Sequence, residues 1–389
     1  MKKFLAIVLA LVMALSLVAC GNDGNSDDTP GTDTIKIGWY GPMSGSAASV
    51  GLSGETAVKL AVKLQNEKGG LLGKQIELVE YDDEGKYENS VKCATRLVEQ
   101  DGVCAVIGSH LSSSVLATSD VTEAAKIIQI GTGTSNIWTN IGLKYTFRPT
   151  VCSSLFNKDC YASMVTMGAT KIASLSAETE YAQGATEAVE ALINADPNME
   201  VVAHEGYTSG DTDFSGQITK MMAANPDGVL LNGGGEDLGK IVKALRMQGY
   251  EGYIYGIESL ADQQTLELAG EYADGVVFSC CYFVPQNIED AANDLEKDFL
   301  TKYMAEYNEL PVSEVAYRAW DGAHILFKAI EAAGSTDGDA VRAAILSTPF
   351  EGIAGKFDFS DESGDGIVSG TTFYIDGGKI VTLEKFLNK

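Results

Sequence analysis

Cationic side chains are scarce in this chain. Its 389 residues carry 28 Lys and Arg against 54 Asp and Glu, a formal charge of −26. Binding a phosphate backbone needs clustered Lys and Arg, so nucleic acid is excluded as a partner. Acidity by itself names no ligand and bears mostly on solubility and association. Histidine is scarcer still: His110, His204 and His324 are the whole set. No C-x-x-C pair and no Cys/His cluster of zinc spacing occurs, which argues against a metal site. Neither a G-x-S-x-G elbow nor a Walker loop is present, so an exported hydrolase is a remote reading and any ATP hydrolysis belongs to a partner. No cofactor is implied.

What the chain does have begins at its start. Lys2 and Lys3 precede an uncharged apolar run over residues 4–19, which ends Leu17-Val18-Ala19-Cys20-Gly21. A positive end, an apolar core and small residues at the cut make the layout of a secretory signal peptide. The run falls short of the ~18–20 apolar residues a spanning helix needs, and no second spanning segment follows. Closing on Leu-Val-Ala before Cys20, it resembles a bacterial lipoprotein signal. That resemblance implies cleavage after residue 19, a diacylglyceryl group on the Cys20 thiol, and an extracytoplasmic protein lipid-anchored to the cell membrane. An ordinary secretory signal and an uncleaved anchor are the alternatives. Residues 21–34 are Gly, Asn, Asp, Ser and Thr with Pro30, a composition that cannot offset its own ordering entropy. They read as a tether with a reach of roughly 20 Å.

Without the signal about 370 residues remain, more than one core usually supports, so two domains are expected. From Ile35 apolar strands alternate with helical spacing. Strands are expected at 35–40, 76–81, 103–107 and 127–130, and helices at 54–67, 87–100 and 113–126. Ala57, Leu60, Ala61 and Leu64 fall at i, i+3, i+4 and i+7. After Phe147-Arg148-Pro149 the alternation restarts, with strands near 171–176, 201–207, 228–232, 253–257 and 275–279. Helices interleave at 182–194, 214–224, 236–247 and 262–269, and later ones follow at 290–307, 317–333 and 338–346. Short strands at 356–359, 371–375 and 380–383 end the chain, the last two flanking Asp376-Gly377-Gly378. Two such series imply an α/β fold of two doubly wound parallel-sheet lobes.

In open α/β sheets ligands bind beyond the carboxyl ends of the strands. There Ser109-His110-Leu111-Ser112-Ser113-Ser114 precedes a helix, and Gly131-Thr132-Gly133-Thr134-Ser135 follows a strand. Neither loop contains Arg or Lys, so together they would hold a carboxylate by neutral donors with no need for a buried cation. Each loop alone is more often a simple cap or turn.

The order Ile35-Lys36-Ile37-Gly38, Gly41-Pro42-Met43-Ser44-Gly45, Tyr81-Asp82-Asp83, Val106-Ile107-Gly108 and the Ser-Ser-Ser loop resembles the leucine/isoleucine/valine-binding proteins. These are type I solute-binding proteins of ABC importers, non-catalytic receptors whose lobes close on a small solute and deliver it to a permease and its ATPase subunits. The resemblance covers essentially all of residues 35–386. It implies three crossover segments, near Thr150, Cys280 and Gly355, and so residues 35–150 with 281–354 as lobe 1 and 151–280 with 355–389 as lobe 2. It implies further that Ser112 takes an amino-acid carboxylate, with Thr132 giving a backbone contact and Thr134 a hydroxyl. Tyr181 would cover the solute from the second lobe, and Glu258 would receive its ammonium. A monomer is expected. A ligand sensor of the same fold without transport is the alternative.

Three departures from the family bear on specificity. Gly233-Gly234-Gly235 replaces a second-lobe tyrosine, leaving room for a larger solute; Val50 or a neighbour stands for a first-lobe aromatic; and the first cysteine of a family disulfide is missing near Glu84-Gly85. Trp39, Tyr40, Trp138 and Phe283 lie near the expected cleft, as liners or as core. Of the cysteines beyond Cys20, Cys152 and Cys160 are close enough in sequence to pair, Cys280 and Cys281 are adjacent, and Cys93 and Cys104 stand alone. Their redox state is left open. Asp361-Glu362-Ser363-Gly364-Asp365-Gly366 looks faintly like a calcium loop, but the twelfth position is Thr372, and it reads as a turn.

Overall fold

The computed structural model describes residues 34–138, 141–234, 236–367 and 370–389. The expected signal peptide, Cys20 and the tether up to residue 33 lie outside the described residues, as does Gly235. The first series runs β1 (Ile35–Gly41), α1 (Ala48–Glu67), β2 (Ile76–Asp82), α2 (Tyr87–Arg96), β3 (Ala105–Ile107), α3 (Ser112–Ala125), β4 (Ile128–Ile130) and β5 (Thr146–Val151). The second runs α4 (Ser153–Met167), β6 (Lys171–Ala177), α5 (Glu180–Ala195), β7 (Glu200–Tyr207), α6 (Ser215–Ala223), β8 (Gly228–Asn232), α7 (Glu236–Met247), β9 (Tyr253–Ile257), α8 (Gln263–Ala269) and β10 (Val276–Cys280). Then come α9 (Asp294–Tyr307), α10 (Val315–Ala333), α11 (Gly338–Ser347), β11 (Phe350–Gly352), β12 (Gly355–Phe357) and β13 (Asp365–Ile367). The chain closes on β14 (Thr371–Asp376), β15 (Lys379–Thr382) and α12 (Leu383–Leu387).

The first sheet has the order β13-β5-β4-β3-β1-β2 and is parallel throughout. The second has the order β15-β14-β10-β9-β8-β6-β7. It is parallel from β7 to β10, and β14 and β15 join it antiparallel. The strands β3, β4, β5, β8 and β10 are buried at every residue, as parallel strands covered on both faces must be. In each sheet the strand order reverses once, between β1 and β3 and between β6 and β8. Those switch points open crevices at the carboxyl ends.

Several boundaries differ from the sequence reading. Helix α1 begins six residues early, through Gly51 and Gly54, which propensity disfavours. Packing overrides it: a Cβ at Gly51 would stand 1.9 Å from the Pro42 carbonyl oxygen, and one at Gly54 2.9 Å from Trp39. Helix α4 had no counterpart in the sequence reading, because its buried face mixes Phe156, Cys160 and Met164 with Ser153, Asn157 and Ser163. The third crossing is displaced. β13 pairs with β5 in the first sheet, so the chain passes to the second sheet between Ile367 and Thr371 and not near Gly355. Only the first part of the acidic stretch 361–366 is therefore a turn. Its end is a strand, and Thr372 sits in the other sheet opposite Ser279. The final turn is as read: Gly377 and Gly378 take φ of 57° and 76°, values that suit glycine and close the two-residue β14–β15 hairpin.

The local pairing considered for Cys152 and Cys160 is ruled out. Cys152 caps α4 and Cys160 lies eight positions on, ~12 Å along a helix, beyond disulfide reach. Burial pushes the Cys93 and Cys104 thiols up to about 11 and Cys281 to about 12, so none is a ready thiolate.

Candidate functional site

All five expected ligand residues lie where strand ends of the two lobes meet. Ser112 opens α3 after β3, Thr132 and Thr134 follow β4, Tyr181 lies in the first turn of α5 after β6, and Glu258 follows β9. The first-lobe loops are tied to each other. The Thr132 N–H donates to the Ser109 carbonyl at 3.1 Å, and the Ser135 N–H to Ser112 Oγ at 3.1 Å. Gly133 permits this approach, since a Cβ there would stand 2.6 Å from Ser112 Oγ. α3 has no side-chain cap, so its first N–H groups are open to an acceptor.

Across the lobes, Thr134 Oγ1 donates to Glu258 Oε1 at 2.5 Å. Glu258 is 4% exposed, and its Oε2 has no hydrogen-bond partner. Among the described residues Thr132 Oγ1 is also buried without one, and the Tyr181 hydroxyl stands beside Ser259 Oγ and Glu258 without closing a well-formed hydrogen bond on either. Burial, with Glu258 nearby, holds the Tyr181 phenol well above its usual range, so it stays a neutral donor. Buried polar atoms are nearly always satisfied. This junction therefore offers one acceptor-only oxygen and three hydroxyls to something that brings a donor and acceptors of its own.

Two buried arginines, both remote in sequence, hold the loops from behind. Arg148 on β5 donates to the Thr134 carbonyl at 2.6 Å and the Ser135 carbonyl at 2.8 Å. Its Nε lies 3.0 Å from Asp365, and its guanidinium sits 3.8 Å over the Trp138 ring. Arg318 on α10 donates to the Thr132 carbonyl at 2.9 Å and binds both oxygens of Glu314 one turn earlier. It also stands 3.9 Å from Glu258. Burial opposes its charge, but Glu314 and Glu258 hold its pKa above the ordinary value. The available signal was the i, i+4 spacing of Glu314 and Arg318 at the start of α10, amid the apolar residues Val315, Ala316, Ala319 and Trp320.

The glycine loop is also less empty than expected. A Cβ at Gly233 would fall 1.9 Å from the Tyr207 hydroxyl, so a tyrosine from β7 fills that space; Gly234 faces open space. Trp39, Tyr40 and Trp138 are core residues, and Phe283 packs on Phe278 and Phe373 in the second core. Val50 is half-buried in the first turn of α1. His110, partly open to the cleft but crowded by protein, is held down at about 3 by burial and Arg318, and is neutral. His204 pairs with Glu190 at 2.7 Å on the far edge of the second sheet.

Known proteins share this arrangement. The family model described as periplasmic binding protein matches residues 34–379. A leucine-, isoleucine-, valine-, threonine- and alanine-binding protein of Pseudomonas aeruginosa is 27% identical over 86% of this chain and 87% of its own. A Leu/Ile/Val-binding protein homolog of Brucella melitensis is 29% identical over 90% and 94%. Among solved structures, the branched-chain amino-acid transporter substrate-binding protein LivJ of Streptococcus pneumoniae, in complex with isoleucine, is 27% identical. It superposes with a TM-score of 0.79 over 90% of this chain and 99% of that one. The family model and the superposition both span most of its length, so the chain belongs to the periplasmic binding protein family.

Proposed function

We propose that this protein is an extracytoplasmic receptor that captures a small amino acid of the branched-chain type between its lobes. It then delivers the solute to an ABC permease and takes no part in catalysis. The observation that carries the reading is the set of unpartnered buried atoms at the lobe junction. Glu258 Oε2 suits an ammonium, which would offset the desolvation of that carboxylate. The Ser112 hydroxyl and the open N–H groups of α3 suit a carboxylate. Tyr181 covers both from the second lobe. Contacts from both lobes exist only when the lobes are together, so binding shifts the population toward closure. Cys20 would carry the lipid that keeps the receptor at the membrane; among the described residues no helix is long and apolar enough to cross one.

The test is a thermal-shift screen of the purified protein against the twenty amino acids, followed by calorimetry. A ligand at a hundredfold excess over its Kd stabilises by about 2.7 kcal/mol. A shift with leucine, isoleucine or valine, accompanied by compaction in small-angle scattering, is expected. Tight binding without compaction would refute closure, and binding only of solutes that lack an ammonium would refute the role of Glu258.

A further inference from the structure

The lobe junction holds more acid than a zwitterion needs. Glu258 and Asp262 come from the second lobe, on the short turn after β9, and Glu314 and Arg318 come from α10 of the first. Ser313 Oγ, beside Glu314, donates to Asp262 Oδ1 at 2.7 Å, and Ser313 is itself pinned to Ser53 of α1. Asp262, 7% exposed, is thus covered by the first lobe. The charges can be paired off one by one. Arg318 neutralises Glu314, a solute ammonium would neutralise Glu258, and a solute carboxylate would sit on hydroxyls and N–H groups. Among the described residues no cation is in ion-pair contact with Asp262; Arg318, bound to Glu314, only pulls on it from a distance. The other titratable groups that face the cluster supply none: His110 before α3 is neutral, Tyr181 on α5 is a neutral phenol, and Cys280 and Cys281 after β10 are thiols.

We infer that closing the lobes on a solute takes up a proton at the Asp262–Glu314 cluster, so that capture is coupled to pH. The inference rests on the receptor reading above. Burial is the main cause that pushes the Asp262 carboxyl up to about 6, with Ser313 and Arg318 pulling it back and Glu258 adding to the rise. Burial likewise pushes Glu314 up to about 8, against the pull of Arg318, and Asp262 and Glu258 from the second lobe add to it. When the lobes part, Asp262 regains water and loses these neighbours. A carboxyl whose pKa rises on closing binds more protons in the closed form, so affinity increases as pH falls through that value. It levels off below the open-state value. For Asp262 alone, about 6 when closed against an ordinary ~3.9 when open strengthens binding ~10-fold between pH 7 and pH 5.

The experiment is calorimetry of the purified protein with L-isoleucine, L-leucine, L-valine, L-threonine and L-alanine as probes. Each titration is run in phosphate and in Tris at matched pH from 5 to 8, so that buffer ionisation heat counts the protons exchanged. Uptake that peaks near pH 5 at somewhat under one proton per solute is expected, with a ~10-fold gain in affinity between pH 7 and pH 5. Asp262→Asn should abolish the uptake and flatten the pH profile while keeping the pH 5 affinity. Ser313→Ala, which keeps the carboxyl but removes its hydrogen bond, should move the profile to higher pH. Binding with equal buffer-corrected heats, or a profile that Asp262→Asn leaves unchanged, overturns the proposal and leaves the receptor reading intact. Failure of all five probes to bind at every pH overturns both.

Discussion

Replacing Arg318 by methionine fills its aliphatic space but removes both nitrogens on Glu314 and the donor to the Thr132 carbonyl. Glu314, 3% exposed, is then a buried carboxylate without a counter-charge. Removing one partner of a buried pair costs about 3–5 kcal/mol. Unfolding entropy of ~2.1 cal/mol/K per residue, over roughly 350 residues, converts that to a fall in Tm of ~4–7 °C. The sign with pH follows from where Glu314 keeps its proton. Burial has already pushed it to about 8 with Arg318 in place, and without the guanidinium it rises further. Above ~4.3 the unfolded chain has released a proton that the folded state retains, so stability falls as pH rises. Parent and variant both retain that proton up to about 8, so the deficit of Arg318→Met should be small and nearly flat from pH 5 to pH 7 and should open above pH 8, where Glu314 of the parent ionises against Arg318. Adding Glu314→Gln leaves two neutral groups and should recover most of that loss, because it is the stranded charge that costs. Thermal denaturation followed by circular dichroism at pH 6 and pH 9 reads all three proteins. If the single variant melts with the parent at pH 9, or the double variant melts as low as the single, the buried pair does not support the loop in this way.

Glu258→Ala should lose amino-acid affinity by 30-fold or more, about 2–5 kcal/mol for a desolvated charge contact, while its circular dichroism stays native; unchanged affinity in calorimetry would remove Glu258 from the site. Gly133→Ala pushes a methyl group to within 2.6 Å of Ser112 Oγ and must spread the two first-lobe loops. It should weaken binding on the order of tenfold, about 1.4 kcal/mol, and equal affinity by calorimetry would show that the loops can part without harm.

The sequence reading succeeded where a signal is local. The apolar runs at β1, β3, β6 and β8 and the spacing of α1 needed no partner to be recognised. The loops at Ser112 and Thr132 were read from strand ends, where a parallel sheet binds, and Tyr181 and Glu258 came from the family resemblance. It failed where meaning depends on distant chain. Helix α4 hides behind buried Ser153, Asn157 and Ser163, polar residues that look like surface until their partners are known. β13 is three residues long, and only its ladder with β5 makes it a strand. Arg148 falls in the segment read as a break between the two series, and Arg318 on an expected helix. Their work lies in the Thr132, Thr134 and Ser135 carbonyls, 13 to 186 positions away. Tyr207 stands over Gly233 from the edge strand β7, with β6 between, for the same reason.

The late crossing between β13 and β14 also constrains how this chain is made. β13 borders β5 in the first sheet, and β14 borders β10 in the second. Neither sheet can finish its edge until residues 365–376, which supply these strands, have been made. Pairings of β5 with residue 365 and β10 with residue 371 close long loops, and such contacts form slowly. A chain emerging from the ribosome therefore stays incompletely folded until those residues appear. The same arrangement leaves the β5 and β10 edges bare in any product that stops before β13, and bare edges are templates for aggregation.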